Sequence, residues 1–323
     1  MVPRERCIAV LGTLTRDTTV YADGSRSENL GGTHYTLLTL AHLLQGSMRI
    51  LPVANVGADS FADIHAALAL PGIDRAALRR VDQPNNHVYL TYKSATERDE
   101  ILVGLVPPVT VEDCAPLRDV DWVLVNLTSG RDVTLEALEF LRRTTRGSVQ
   151  LDVHSLTLDF APDGRRFLRK PPEWERWVAC ADWVQMNEAE ANLLGDGRPL
   201  PEFAREVLGL GPQGVMITLG SAGVLGAWRA NASVRSLRLA AARQPEPAYP
   251  TGCGDVFGAG FAYAALLGAG PEAALQFANA AAGVKACHEP YGELRRLRAD
   301  VAAELARFVP AGHMAPGPGQ GGP

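Results

Sequence analysis

Trp183-Val-Gln-Met-Asn187 passes directly into Glu188-Ala-Glu-Ala-Asn-Leu-Leu194. The first run has the length and apolar content of a buried strand, and the second has the pattern of a helix. Related units lie on both sides. Trp122-Val-Leu-Val-Asn126 reads as a strand with a helix following over 135–143. Ser148-Val-Gln-Leu-Asp152 and Val215-Met-Ile-Thr-Leu-Gly220 read as further strands. Helices are predicted over 259–267, 272–286 and 298–308. Strands alternating with helices specify a doubly wound, mostly parallel sheet covered on both faces, a three-layer α/β fold.

Working toward the N-terminus, Cys7-Ile-Ala-Val-Leu-Gly12 and residues 50–56 supply two more strands, and Gly31-Gly32 opens an amphipathic helix over 35–44. Two segments do not fit the parallel layer. Residues 13–33 alternate polar and apolar around the turn Asp23-Gly24, and residues 86–105 look like a second hairpin. They are expected to form a small separate β-sheet, a lid of about residues 13–33 and 86–105. The whole of 1–310 then forms one domain, and the Gly/Pro-rich tail 311–323 is expected to be disordered.

Composition narrows the function. The chain has 323 residues, 46% hydrophobic and 21% charged, with net charge -5. That balance excludes a broad nucleic-acid surface, which needs concentrated positive charge. Cys7, Cys114, Cys180, Cys253 and Cys287 show no C-x-x-C spacing, so neither a disulfide framework nor a zinc site is expected. No apolar run reaches bilayer length and no signal-peptide core precedes Cys7, so a cytoplasmic protein without a membrane partner is expected. The sequence leaves a homodimer through paired lids open.

One segment concentrates chemistry: Tyr249-Pro-Thr-Gly252-Cys253-Gly254-Asp255-Val-Phe-Gly-Ala-Gly260. Backbone N–H groups of Gly252, Cys253 and Gly254 would sit at a helix start, where unpaired donors and the helix dipole favour an anion. Asp255 would repel that anion, but it makes sense as a base taking a hydroxyl proton while the oxygen attacks phosphorus. The bland alternative is a glycine turn with a capping aspartate. Asn187 and Glu190 lie three apart at a sheet's carboxyl edge. There Glu190 either helps hold the hydrated magnesium that escorts ATP or closes a capping box with Asn187. Gly209 to Gly214 matches G-x-G-x-x-G, yet it follows a helix and precedes a strand, the reverse of a dinucleotide site. No P-loop motif is present. His34 and His154 read as polar lining residues, not metal ligands.

Taken in order, these residues resemble the ribokinase/PfkB family of carbohydrate and nucleoside kinases. The C-terminal signature Asp-Thr-x-Gly-Ala-Gly-Asp is matched by Tyr249 to Asp255, and Asn-x-x-Glu by Asn187 to Glu190. The nucleotide loop is matched by Thr218-Leu-Gly220-Ser221-Ala-Gly223, and the double glycine by Gly31-Gly32. Gly12 to Asp17, Val56 to Phe61 and Phe277-Ala-Asn279 match further elements. The resemblance spans about residues 7–309. It implies a kinase domain with a β-sheet lid, ATP and Mg2+ as cofactors, Asp255 as base and Gly252, Cys253 and Gly254 as anion hole. It places Asn187, Thr218, Gly220, Ser221, Gly223 and Asn279 on the nucleotide, and Glu190 in the magnesium shell. Asp17, Gly31 and Gly32 fall on the acceptor side. Thr36 stands where the family has a substrate-binding Asn. Tyr249 replaces an Asp that is linked to a monovalent cation in ribokinase-like members, with Glu289 a later source of charge. Thr128 is nearest to a substrate-contacting Glu.

The expected activity is transfer of the γ-phosphoryl group of ATP to a hydroxyl of a small sugar or polyol. A nucleoside acceptor, or a catalytically weak member acting as a binding or regulatory protein, are the alternatives.

Overall fold

Ile8 and Val10 face one side of strand β1 (Cys7–Leu11) while Cys7, Ala9 and Leu11 face the other, and all five are buried. A strand buried on both faces belongs inside a parallel sheet. The computed structural model describes residues 4–21, 23–93, 98–246, 248–288 and 294–308. The tail 311–323 and Glu289 lie outside the described residues.

After β1 come β2 (Leu14–Val20), β3 (Arg26–Gly32), α1 (His34–Leu44), β4 (Arg49–Gly57), α2 (Phe61–Ala67) and β5 (Leu78–Val81). The chain continues through β6 (His87–Tyr92), β7 (Arg98–Val103), α3 (Val111–Cys114), β8 (Trp122–Asn126), α4 (Leu135–Thr144) and β9 (Ser148–Asp152). Next are β10 (Leu158–Phe160), β11 (Arg166–Leu168), α5 (Trp174–Ala179), β12 (Trp183–Asn187), α6 (Glu188–Leu194) and α7 (Leu200–Gly209). The last elements are β13 (Gly214–Thr218), β14 (Val224–Ala230), β15 (Ser233–Leu239), α8 (Cys253–Leu266), α9 (Pro271–Ala286) and α10 (Leu297–Phe308).

The large sheet runs β15-β14-β13-β12-β9-β8-β1-β4-β5. From β13 to β5 every neighbour is parallel. Helices α1, α8, α9 and α10 pack on one face through Leu37, Phe261, Leu275 and Val301. Helices α4 to α7 pack on the other through Leu138, Val178, Leu194 and Phe203. The chain adds β4 and β5 on one side of β1, then returns to add β8, β9, β12 and β13 on the other. Such a reversal opens a crevice at the strands' carboxyl ends, here between β1 and β8.

Two details depart from the sequence-based expectation. Strands β14 and β15 extend one edge, β14 antiparallel to β13 and β15 antiparallel to β14. Their signal is weak because β14 contains Gly226 and β15 is mostly exposed and polar, so pairing fixes them more than propensity does. Helix α8 begins at Cys253, not 259. Its glycines lower helix propensity, but a Cβ at Gly258 would lie 2.7 Å from Gln185 Oε1, so close packing on the sheet requires glycine there.

The hairpins β2–β3 and β6–β7 form one four-stranded sheet, ordered β3-β2-β6-β7 and joined by parallel pairing of β2 with β6. Val88, Leu90 and Leu102 form its own small core, against which Tyr92 and Phe160 pack. The two segments read as hairpins are thus halves of a single lid sheet. Among the described residues no helix is long and apolar enough to cross a membrane.

Candidate active site

Gly252 has φ +81° and caps α8, and a Cβ at that position would lie 2.7 Å from the Tyr35 ring. Only glycine suits both demands. The turn leaves the N–H groups of Gly252 and Gly254 without a backbone acceptor among the described residues. The Cys253 N–H differs from expectation, because it closes a turn onto the Pro250 carbonyl at 3.1 Å. Two aligned donors at the start of a 14-residue helix still favour an anion.

Asp255 stands one turn into that helix, at the crevice between β1 and β8. Its Oδ1 accepts from Asn126 Nδ2 at 2.5 Å and from Thr36 Oγ1 at 3.4 Å. Burial pushes the carboxyl up to about 7; the bonds from Asn126 and Thr36 oppose the rise and the charge of Asp17 adds to it. The side chain keeps access to water through the cleft it lines. A carboxylate poised near neutral pH can take a proton from a hydroxyl and later release it.

Two further carboxylates lie near Asp255. Asp152, at the end of β9, is 5% exposed and its Oδ2 accepts from Gln185 Nε2 at 2.9 Å. Burial and then the charges of Glu190 and Asp255 push it well above the usual carboxylate range. Glu190 closes the capping box: its Oε2 accepts from Asn187 N at 2.8 Å, and Asn187 Oδ1 accepts from Glu190 N at 2.9 Å. Burial pushes Glu190 up to about 7 against the bond from Asn187. Among the described residues no group of three or more His, Cys, Asp or Glu is placed to hold a metal alone. Neither Asp152 nor Glu190 forms an ion pair there. Buried negative charge of this kind suits a magnesium ion that arrives with phosphate oxygens and water.

All this opens into one cleft of about 1010 Å³. Asn187, Glu190, Thr218, Gly220, Ser221, Gly223 and Asn279 line one end, Gly252, Cys253, Gly254 and Asp255 the middle, and Asp17 and Gly32 the other end. Asn279 Nδ2 donates to Ala240 O at 2.7 Å and Gln244 Nε2 to Ser221 O at 2.9 Å, so both ends of that wall are tied to the loop before the signature. Two expected acceptor-side residues are not in the lining. Gly31 lies beneath the Asp17 carboxylate, and Thr36 is fully buried beside Asp255. Of the histidines, His154 lines the cleft, while burial pushes His34 down to about 4 and keeps it neutral.

Sequence reasoning passed over Asp152, Asn126 and Gln185, which ended strands or sat inside them and looked like strand residues alone. It also passed over Lys285. That lysine is 0% exposed, and its ammonium donates to the carbonyls of His288 at 3.1 Å and Tyr249 at 3.5 Å. Burial lowers its pKa, and the nearby Cys253 and Asp255 act against that.

A family model described as pfkB family carbohydrate kinase matches residues 156–291. The ribokinase of Bacillus subtilis (strain 168) is 26% identical over 301 residues, covering 87% of this chain and 93% of that protein. Arabidopsis thaliana ribokinase, solved with ribose and ATP, superposes with TM-score 0.73 at 20% identity, over 94% of this chain and 99% of that one. A pyrophosphate-dependent kinase in the ribokinase family, solved with a pyrophosphate analog and myo-inositol, gives TM-score 0.73 at 18% identity, over 92% and 99%. The parallel sheet, the four-stranded lid and these matches agree: the chain has a ribokinase-like fold, and its residues 156–291 are similar to the pfkB family of carbohydrate kinases.

Proposed function

We propose that this enzyme moves the γ-phosphoryl group of ATP onto a hydroxyl of a small sugar or polyol, with Asp255 as general base. The observation that carries the reading is a carboxyl held near pH 7 at a glycine-turn helix start, where the cleft's two ends meet. Asp255 accepts the hydroxyl proton as the acceptor oxygen forms its bond to phosphorus; the bond to the β-phosphate oxygen breaks and ADP leaves. Asn126 fixes the carboxylate that faces the acceptor. The N–H groups of Gly252 and Gly254 meet charge developing on the transferred group. Glu190, with Asp152 behind it, would hold the magnesium shell, and the ion would neutralise phosphate charge. Lid strands β2, β3, β6 and β7 exclude water from the reacting phosphate.

The donor end supports ATP over pyrophosphate. It is walled by small residues, Ala241, Ala242, Ala282, Gly283 and Ala286, with Asn279 beside them. These leave a slot that suits a flat purine and that pyrophosphate would not fill. The test pairs donors with a base variant. Wild type should transfer phosphate from ATP and not from pyrophosphate. Asp255→Asn should lower turnover by about 10²–10⁴ while ATP still binds. Near-wild-type turnover by that variant would refute the base assignment, and faster transfer from pyrophosphate would refute the donor.

A further inference from the structure

Helix α9 ends in a lysine that faces inward. Lys285 lies one residue before the end of the helix, does not line the cleft, and has no exposed surface. Lysine gives up its water completely only where the protein supplies other partners. Here the ammonium donates to Tyr249 O and His288 O, and it stands 5.9 Å from the centre of the Tyr35 ring. The first and third of these contacts converge on the turn that starts α8. Tyr249 opens that turn and is gripped by both its backbone groups. Its N–H donates to Ala286 O at 3.0 Å, and its carbonyl accepts from Lys285 and from the Cys253 thiol. The Tyr35 ring beneath the ammonium is the ring against which Gly252 packs. Gly252 is therefore held from two directions, through Tyr249 and through Tyr35, and Lys285 contacts both. The bond to His288 O then ties the entry of α8 to the exit of α9.

Charge gives this grip a second consequence. Asp255 and Cys253 both act on the ammonium against the effect of burial. The interaction is mutual, so the ammonium's charge is felt at the proposed base and inside the turn. Coulombic effects carry further in such a poorly solvated place than in water. The helix dipoles agree with this placement. The carbonyl end of α9 stabilises a cation, and the N–H end of α8 stabilises an anion. Lys285 occupies the first and lends its charge to the second. A methionine of similar length would fill the same space without the cost of desolvation, but it would leave the His288 carbonyl without this donor and the turn without the charge.

We propose that Lys285 is a positioning residue for phosphoryl transfer: its ammonium, seated on the carbonyls of Tyr249 and His288, holds the turn at Gly252 to Gly254 in the shape that receives the phosphoryl group and adds a fixed positive charge beside it. The proposal rests on the kinase reading above and assigns to that site a part that lies outside the cleft lining. Lys285 forms no bond to substrate and moves no proton; it acts through the turn.

The test replaces the ammonium first by an apolar chain and then by a cavity. Turnover of the full chain is read by direct quantitation of ADP, with ATP, magnesium and whichever of D-ribose, D-fructose and myo-inositol wild type phosphorylates fastest. Lys285→Met should lower kcat by about 10²-fold while KM for ATP changes by less than about threefold. Lys285→Ala should lose a similar factor, but it leaves a space beside two carbonyls. Ammonium chloride should restore kcat of Lys285→Ala by about tenfold relative to choline chloride at equal ionic strength. It should not restore Lys285→Met, whose side chain fills the space, nor stimulate wild type, whose own ammonium fills it. Wild-type kcat in Lys285→Met, or a loss in Lys285→Ala that ammonium does not relieve, would overturn the proposal. Should Lys285→Ala fail to fold, the split between kcat and KM in Lys285→Met decides it. The melting temperature of Lys285→Ala should also rise with ammonium and not with choline, a reading that needs no turnover. If wild type transfers phosphate to none of the three acceptors, the kinase reading falls, and the presence or absence of that rise still decides whether the position is a cation seat.

Discussion

At the scale of single residues, Asp255, the proposed base, and Asp152 respond to pH in ways that can be separated. Asp255 is pushed up to about 7, so below that pH it is protonated and cannot take the acceptor's proton. The maximal rate should therefore rise as pH increases through about 7 and level off above it. A profile at saturating substrates, flat from about pH 5.5 to about pH 8.5, would contradict this role. Asp152 affects stability instead. Its folded-state pKa lies above the unfolded value, so the folded state holds a proton that the unfolded chain has released. Stability attributable to this group is thus greatest at low pH and falls as pH rises above about 4. Asp152→Asn removes that penalty. Its melting temperature should exceed wild type at pH 8, by about 2–4 °C for each kcal/mol recovered, with the gap closing toward pH 5. A constant gap across that range would mean that something other than ionisation is responsible. The same variant should lose activity, because the charge that destabilises the fold is the charge that suits the metal.

At the scale of elements, the lid is the part free to respond to substrate. Strands β6 and β7 are held by the small core of Val88, Leu90 and Leu102, while β2 and β3 reach the large core through Leu14 and Leu30. Acceptor binding should protect them from hydrogen exchange more than ATP alone does. Equal protection with and without acceptor would rule out closure on the acceptor. These strands were legible in the sequence because Asp23-Gly24 marks a turn and the flanking residues alternate. The central strands were legible because they are continuously apolar. The first turns of α8 were not, since glycines needed for contact with Gln185 also erase the helical pattern. Much of the candidate site could be read because phosphate-binding turns need glycine at fixed spacing. Asp152, Asn126 and Lys285 could not, because each gains its meaning from a neighbour distant in the chain: Gln185, Asp255 and Tyr249.

At the scale of the whole molecule, the late helices and the signature are joined through Lys285. Where the family resemblance places a cation-linked aspartate, this chain has Tyr249, which offers no formal charge. In its place a buried ammonium already engages the carbonyls of Tyr249 and His288. Potassium should therefore stimulate the enzyme little or not at all. Activity in tris buffer with potassium chloride, compared with choline chloride at equal ionic strength, checks this. A several-fold rise specific to potassium would mean that the ammonium and the phenol do not stand in for the ion.

Cys253 sits inside the proposed anion-binding turn, half-buried, with its thiol donating toward Tyr249 O at 3.5 Å. Burial pushes it up to about 11, so at pH 7 only about one molecule in ten thousand carries the thiolate. In the proposed reaction, a sulfur beside the transferred phosphate is thereby kept from competing as a nucleophile with the acceptor's oxygen. The same protonation makes the centre slow to alkylate and slow to oxidise, so preparations should keep their activity through storage in air without added reductant.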